Sequence, residues 1–309
     1  MLSLKWYSII DVNNNSVLKT TLKKLRNTYR TFLYSKKTVF QPVFLIGCAR
    51  SGTTILGTTL GRHKSITYLN ERKDLWHAAY PNFDVWSGKA ALPKLIVKNT
   101  DNDNKKTELL RELLFKEQVV HKGKVVLEKF PINSFRLDFI DCVFPNARYI
   151  YLHRNGLEVA KSIERICNNG KWYGKESVKW DLLKKELTEL NLPERQFSYF
   201  EKGLLEWRLS LDYSESFFSK IDKQRYYSLS YQTLTENPSL QLENIFRFLN
   251  LDVSKKFISK ISKNIIRKGI VTNLKDEYLE IGGENLTLSV ENKLRQTAPD
   301  KKYNAEKYL

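Results

Sequence analysis

The residues with the clearest chemistry lie in a glycine-bounded loop. In the stretch from Val43 to Leu60, V-F-L-I-G-C-A-R-S-G-T-T-I-L-G-T-T-L, Gly47 and Gly52 enclose Arg50 and Ser51, and Thr53 and Thr54 follow. Backbone N–H groups of such a loop, backed by a helix N-terminus, hold a phosphate. Gly47 and Gly52 have the spacing of a nucleotide-binding P-loop and Thr54 fills its hydroxyl position, but Thr53 stands where that motif needs Lys. Basic charge comes instead from Arg50. A metal-dependent kinase or hydrolase needs the Lys and an acidic Mg²⁺ ligand, and the later strands do not end in a clear metal-binding Asp. The loop therefore suits a phosphate-like group whose leaving oxygen is stabilised without a metal. A second anion site is indicated downstream: the strand A-R-Y-I-Y-L-H-R ends at Arg154, and the helix after it brings Ser162 to the same end. Two phosphate sites on one domain fit a nucleotide phosphorylated at two positions.

Those residues need a scaffold that gathers strand ends. From Val43 onward, apolar β-type runs alternate with helical patterns. The runs predict strands at Val43–Cys48, Ser65–Leu69, Val125–Phe130, Arg148–His153 and Arg225–Ser230. The patterns predict helices at Thr53–Arg62, Thr107–Gln118, Ser134–Val143, Gly156–Cys167, within Lys202–Ser219, and at Ser239–Asn250. This alternation predicts an α/β three-layer, P-loop-like domain with a central parallel sheet of about five strands flanked by helices. Two insertions break it, at about 72–123 and 168–200, and are expected near the carboxyl edge of the sheet, where ligands bind.

The chain has 309 residues, 52 Lys+Arg against 34 Asp+Glu, and a net charge of +18. Such a balance favours anionic partners without choosing among nucleotide, nucleic acid, acidic polymer and membrane surface. Cys48, Cys142 and Cys167 lie far apart, which argues against a disulfide framework or zinc site and for reduced thiols in a cytosolic protein. Four histidines without paired spacing make a metal site an unsupported reading. No segment approaches the ~18 to 20 apolar residues of a membrane span, and the first residues are charged too soon for a secretory signal. After a plausible cap at Ser16, Leu18, Leu22, Leu25, Tyr29 and Phe32 follow at helical spacing among Lys19, Lys23, Lys24, Arg26 and Arg30. A helix of this kind either lies on an anionic membrane or packs on the domain with a solvated basic face.

Five collinear segments between about 43 and 252 resemble the PAPS-dependent sulfotransferases, in particular the bacterial carbohydrate and tyrosylprotein branch. G-C-A-R-S-G-T-T-I-L is similar to their 5′-phosphosulfate loop and F-P-N-A-R-Y-I-Y-L-H-R-N-G-L-E-V-A-K-S to their 3′-phosphate segment. H-K-S-I-T-Y-L-N-E-R-K-D-L-W resembles the strand that ends in a catalytic Glu, E-K-F-P-I-N the Lys-x-Pro segment, and Y-Y-S-L-S-Y-Q-T-L-T-E-N-P the late strand–turn–helix, with Gln232 in place of the commoner Glu. The resemblance implies that Arg50, Ser51, Gly52, Thr53 and Thr54 bind the 5′-phosphosulfate, Arg154 and Ser162 the 3′-phosphate, and that Tyr231 approaches the nucleotide. Arg267, Lys268 and Gly269 resemble the tripeptide that closes over the 3′-phosphate in cytosolic members, although their flanks match poorly. It further implies PAPS as co-substrate, 3′,5′-ADP as product, no metal, and a sulfotransferase domain over 41–298, between a basic helical segment at 1–40 and a tail at 299–309.

Sulfuryl transfer needs a base for the acceptor hydroxyl and cations for the departing phosphate oxygen. The resemblance puts Glu71 in the base position; Lys129, ending the third strand beside Phe130 and Pro131, is placed to neutralise charge on the bridging oxygen or the sulfonate, with Arg50 opposite. An ion pair from Glu71 to Arg50, Arg72 or Lys73 is the structural alternative, and His77 is the second candidate base. Trp76, Tyr80 and Trp86, with Trp172 from the second insertion, offer faces for a sugar or aromatic acceptor, against ordinary packing. The expected acceptor is a saccharide or glycolipid, with the enzyme in the cytoplasm, at most peripheral at the inner membrane surface. No specific nucleic-acid partner is expected on this reading. Two other classes compete: a P-loop kinase, opposed by Thr53 and the missing Mg²⁺ ligand, and a basic non-catalytic protein that binds nucleic acid or acidic polymers, suggested by the +18 charge.

Overall fold

The structure, a computed structural model, describes residues 16–34, 40–175, 178–187 and 196–266. Five strands form one sheet: β1 (Pro42–Ile46), β2 (Ile66–Asn70), β3 (Val125–Lys129), β4 (Arg148–His153) and β5 (Tyr226–Ser230). Their order is β2-β3-β1-β4-β5, and every pairing is parallel. The central strands β1 and β3 are buried along their whole length, as strands covered on both faces are; β1 is an unbroken apolar run, whereas β3 ends in the buried Glu128 and Lys129.

Alternation along each strand feeds two separate cores. Phe44, Ile46, Val126, Tyr149 and Tyr151 pack on one face with α3 (Lys73–Ala79), α4 (Asn104–His121), α5 (Leu137–Val143), α6 (Gly156–Asn168) and α8 (Tyr199–Phe218). Val43, Leu45, Leu127, Ile150 and Leu152 pack on the other with α2 (Thr53–Leu60), α9 (Tyr231–Glu236), α10 (Pro238–Phe248) and α11 (Lys255–Ser262). The result is the expected three-layer α/β architecture. A further helix, α7 (Val178–Glu186), lies in the second insertion and contributes Trp180 and Leu183 to the first core.

The first insertion carries two helices, α3 and α4, joined by irregular chain. Asp103 caps α4 by accepting from Lys106 N, which starts that helix at Asn104 instead of 107. Conversely, α5 starts only at Leu137 because residues 131–135 form a 3₁₀ turn behind Pro131.

Helix α1 (Ser16–Tyr34) begins at the predicted cap and lies against α4. Its apolar row is not turned inward: Leu22, Leu25, Tyr29 and Phe32 are all exposed, whereas Asn27 is half-buried. No helix among the described residues is long and apolar enough to cross a membrane.

Candidate active site

The carboxyl ends of β1, β2 and β3 converge on one cleft. Asn70 of β2 is in register with Lys129 of β3, so the next residue, Glu71, lies beside the end of β3, and its N–H donates to the Lys129 carbonyl at 2.8 Å. Lys129 is fully buried, and its ammonium donates to Glu71 Oε1 at 2.6 Å and to Thr54 Oγ1 at 3.0 Å. A buried charge persists only with such partners. The ion pair for Glu71 is therefore made with Lys129, not with Arg50, Arg72 or Lys73. Arg72 pairs instead with Asp74 and Glu117. The Glu71 side chain keeps 38% of its surface exposed toward the cleft, and Oε2 accepts no hydrogen bond among the described residues.

Backbone strain collects at the same place. Among the described residues, five other than glycine have positive φ. Lys122 and Asn250 do so at helix C-termini, where that conformation is ordinary. Arg50 (φ 72°), Glu71 (φ 51°) and Trp172 (φ 52°) all border the cleft. Left-handed backbone at bulky side chains is costly and gathers at sites of function.

The loop between β1 and α2 is closely fitted. Gly52 has φ 96°, and a Cβ there would meet the Tyr231 ring at 2.6 Å; at Gly47 it would meet the Leu152 carbonyl oxygen at 2.3 Å. Between them Arg50 Nε donates to Ser162 Oγ at 3.1 Å, and Arg154 Nη1 donates to the Arg50 carbonyl at 3.2 Å. Arg154 also pairs with Glu158 and lies over the Tyr231 ring, 4.2 Å from its centroid. Asn155 caps α6 by accepting from Glu158 N, and Trp207 Nε1 donates to the Arg154 carbonyl at 3.0 Å, which fixes this corner. Burial lowers the Arg50 pKa, and repulsion from Arg154 and Arg165 lowers it further against attraction to Glu71. Ser51 Oγ is buried without a hydrogen-bond partner among the described residues. Converging guanidinium groups, an orphaned hydroxyl and the N-terminus of α2 form an anion cradle.

The other side of the cleft is a cavity of about 220 Å³ reaching from Arg50, Thr53, Thr54 and Glu71 to the two insertions. Its walls include Trp86, Phe130 and Trp172, and its cations Lys73, Lys175 and Lys179. Trp86 packs on Phe130 at 5.1 Å between centroids. Lys179 pairs with the buried carboxylate of Glu206, which also accepts from the Tyr173 hydroxyl.

Beneath this wall lies a buried polar network. Glu128 accepts from Trp76 Nε1 at 3.1 Å and from Asn133 Nδ2 at 2.8 Å, and burial raises its pKa to about 8. Arg136, its pKa lowered to about 9 by burial, donates to the carbonyls of Phe83, Lys94 and Leu95 and so pins the loop that carries Trp86.

The structure brings together Arg50, Ser51, Gly52, Thr53, Thr54, Glu71, Lys129, Arg154, Ser162 and Tyr231, and sets Trp86 and Trp172 in the cavity wall. Trp76 and Tyr80 are corrections. Trp76 is fully buried on Glu128, and Tyr80 stacks on Phe83 while its hydroxyl meets Thr107, so both are core. His77 is exposed, lies 3.8 Å from Asp84 and does not line the cavity. Arg267, Lys268 and Gly269 lie outside the described residues. Sequence reasoning missed Lys73, Lys175 and Lys179 as cavity residues. Two of them sit in the second insertion, whose mixture of Gly, Trp and Lys was the available signal.

Residues 42–255 match the sequence model of the sulfotransferase family, from the first residue of β1 to the first of α11. The chain belongs to the sulfotransferase family. It is 23% identical to an uncharacterised protein of Aquifex aeolicus, over 74% of this chain and 29% of that protein, so it spans under a third of that relative's length. Among solved structures it resembles the sulfotransferase domain of the curacin biosynthetic pathway (17% identity, 76% of this chain and 82% of that one, TM-score 0.49). It also resembles a sulfotransferase of Alicyclobacillus acidocaldarius (15%, 82% and 96%, TM-score 0.46). A third is mouse sulfotransferase SULT7A1 complexed with PAP (14%, 82% and 85%, TM-score 0.45).

Proposed function

We propose that this protein transfers a sulfuryl group from PAPS to a hydroxyl of a saccharide acceptor. The observation that carries the reading is the Glu71–Lys129–Thr54 cluster, held beside the arginine cradle in one cleft of a sulfotransferase-family fold. PAPS supplies an activated sulfuryl group whose leaving group is the 5′-phosphate of 3′,5′-ADP. Gly52, Thr53, Thr54, the orphaned Ser51 hydroxyl and Arg50 hold the 5′ end; Arg154 and Ser162, with Tyr231 behind them, hold the 3′-phosphate.

Glu71 Oε2 takes the acceptor proton as the acceptor oxygen bonds to sulfur. The bond from sulfur to the bridging oxygen breaks, and its electron pair stays on the phosphate, where Lys129 and Arg50 oppose the developing charge. Lys129 also holds Oε1, so one ammonium orients the base and faces the leaving group. Trp86 and Trp172 supply the apolar faces for a sugar ring. In α1, the exposed apolar row accompanied by Lys23, Lys24 and Arg26 supports peripheral contact with an anionic membrane surface. The free thiols of Cys48, Cys142 and Cys167 fit a cytoplasmic enzyme.

Calorimetry with 3′,5′-ADP against 5′-ADP tests the nucleotide assignment. The wild type should prefer 3′,5′-ADP and Arg154→Ala should lose that preference; equal binding of the two by the wild type would sink the reading.

A further inference from the structure

Two lysine–tryptophan pairs line the acceptor side of the cavity. Lys73, two residues after Glu71, lies over Trp86 at 5.3 Å, and Lys179 lies over Trp172 at 5.3 Å. The pairs differ in charge balance. Lys179 is matched by the buried carboxylate of Glu206, so that wall is locally neutral apart from Lys175. Lys73 and Lys175 have no carboxylate partner among the described residues, and the one carboxylate lining the cavity, Glu71, is held by Lys129. The acceptor side therefore presents two unmatched ammonium groups beside aromatic faces. A neutral hydroxyl acceptor would leave both without a counter-charge once water is displaced, whereas an anionic group on the acceptor supplies one.

We propose that Lys73 and Lys175 form an anion subsite that selects an acidic saccharide, one bearing a carboxylate or an ester phosphate or sulfate near the hydroxyl to be modified. This rests on the reading of the cleft as a sulfotransferase site. The subsite is separate in residues from the nucleotide cradle of Arg50, Arg154 and Ser162. Lys73 belongs to the chain that leaves the base, so its ammonium measures the acceptor against Glu71. Lys175 follows the strained Trp172 and comes from the second insertion, so the two cations reach the cavity from different parts of the chain. Lys179 is a positioning residue, tied to Glu206, that supports the Trp172 wall.

The test uses the full chain saturated with 3′,5′-ADP. Calorimetry compares a glucuronate-containing oligosaccharide, its methyl ester and a sugar phosphate, on wild type, Lys73→Gln, Lys175→Gln and the double variant. The acidic forms should bind at least tenfold tighter than the ester. Each single variant should erase most of that ratio without changing 3′,5′-ADP affinity, and preference between glucuronate and phosphate tells which anion the subsite takes. In turnover the variants should raise KM for the acidic acceptor more than they lower kcat. Equal binding of acid and ester by a wild type that binds 3′,5′-ADP overturns the subsite and leaves the nucleotide reading intact. Failure to bind 3′,5′-ADP at all overturns the underlying reading instead. Lys73→Arg, which keeps the charge, should retain the preference; a loss with Lys73→Arg as large as with Lys73→Gln would mark the residue as structural and also overturn the subsite.

Discussion

The two sides of the cleft are built by different means. The proposed nucleotide side is centred on one short loop with tight glycines, where Arg50 meets Arg154 and the pair is braced by Ser162, Glu158 and Trp207. The proposed acceptor side is assembled from two distant insertions and held by buried polar groups: Glu128 on Trp76, Arg136 under the Trp86 loop, and Glu206 on Tyr173 and Lys179. A rigid cradle suits a co-substrate that does not vary. A wall hung on insertions lets the acceptor change while the chemistry stays, because loops tolerate substitution that sheets do not.

The largest effect should come where the two sides meet. Lys129→Ala removes the ammonium that holds Glu71 and that the proposed mechanism sets against the leaving oxygen, and steady-state kinetics should show kcat falling about 10³-fold, the scale for losing one preorganised donor. Glu71→Gln should lower kcat about 10²- to 10⁴-fold with calorimetric affinity for 3′,5′-ADP unchanged; a matching loss of nucleotide affinity would erase the distinction between the sides. On the nucleotide side alone, Arg154→Ala should weaken 3′,5′-ADP by about 1.5–3 kcal/mol, as for a hydrogen bond to a charged group, and leave 5′-ADP nearly unaffected.

The acceptor side should carry a pH signature. The Glu128 carboxyl has its folded pKa raised from 4.5 to about 8, so between those values the native state holds a proton that the unfolded chain has released. Stability therefore falls as pH rises through that window. Thermal melts of Glu128→Gln should lack this slope, and a wild-type slope that survived the change would place its origin elsewhere. The smallest effect is expected outside the cleft. Leu25→Ser with Phe32→Ser should reduce co-sedimentation with phosphatidylglycerol vesicles several-fold, as apolar area and basic charge act together there, with no change in nucleotide affinity.

The same division governs what could be read in advance. The loop was legible because Gly47, Arg50 and Gly52 are neighbours in sequence and their geometry is local. The strands were legible because each carries a short run of apolar or β-type residues, continuous in β1 and partial in the rest. The apposition of Glu71 and Lys129 was less so, since it depends on β2 and β3 being adjacent in register, and adjacency is a property of the whole sheet. Trp76 and Trp86 look alike in a list of aromatics; the phase of α3 sends the first onto Glu128, while the second sits at the cavity on a loop held by Arg136. Arg50, Arg72 and Lys73 stand as the alternative ion-pair partners of Glu71 in the sequence because nothing local reveals that Lys129 takes that place.

Turnover of PAPS in the presence of saccharide acceptors tests the central claim most directly. The wild type should release 3′,5′-ADP and sulfated product in equal amounts, and Glu71→Gln should release neither at a comparable rate. Mg²⁺-dependent turnover of ATP with no use of PAPS would contradict the account and return the loop to the kinase class that Thr53 argues against.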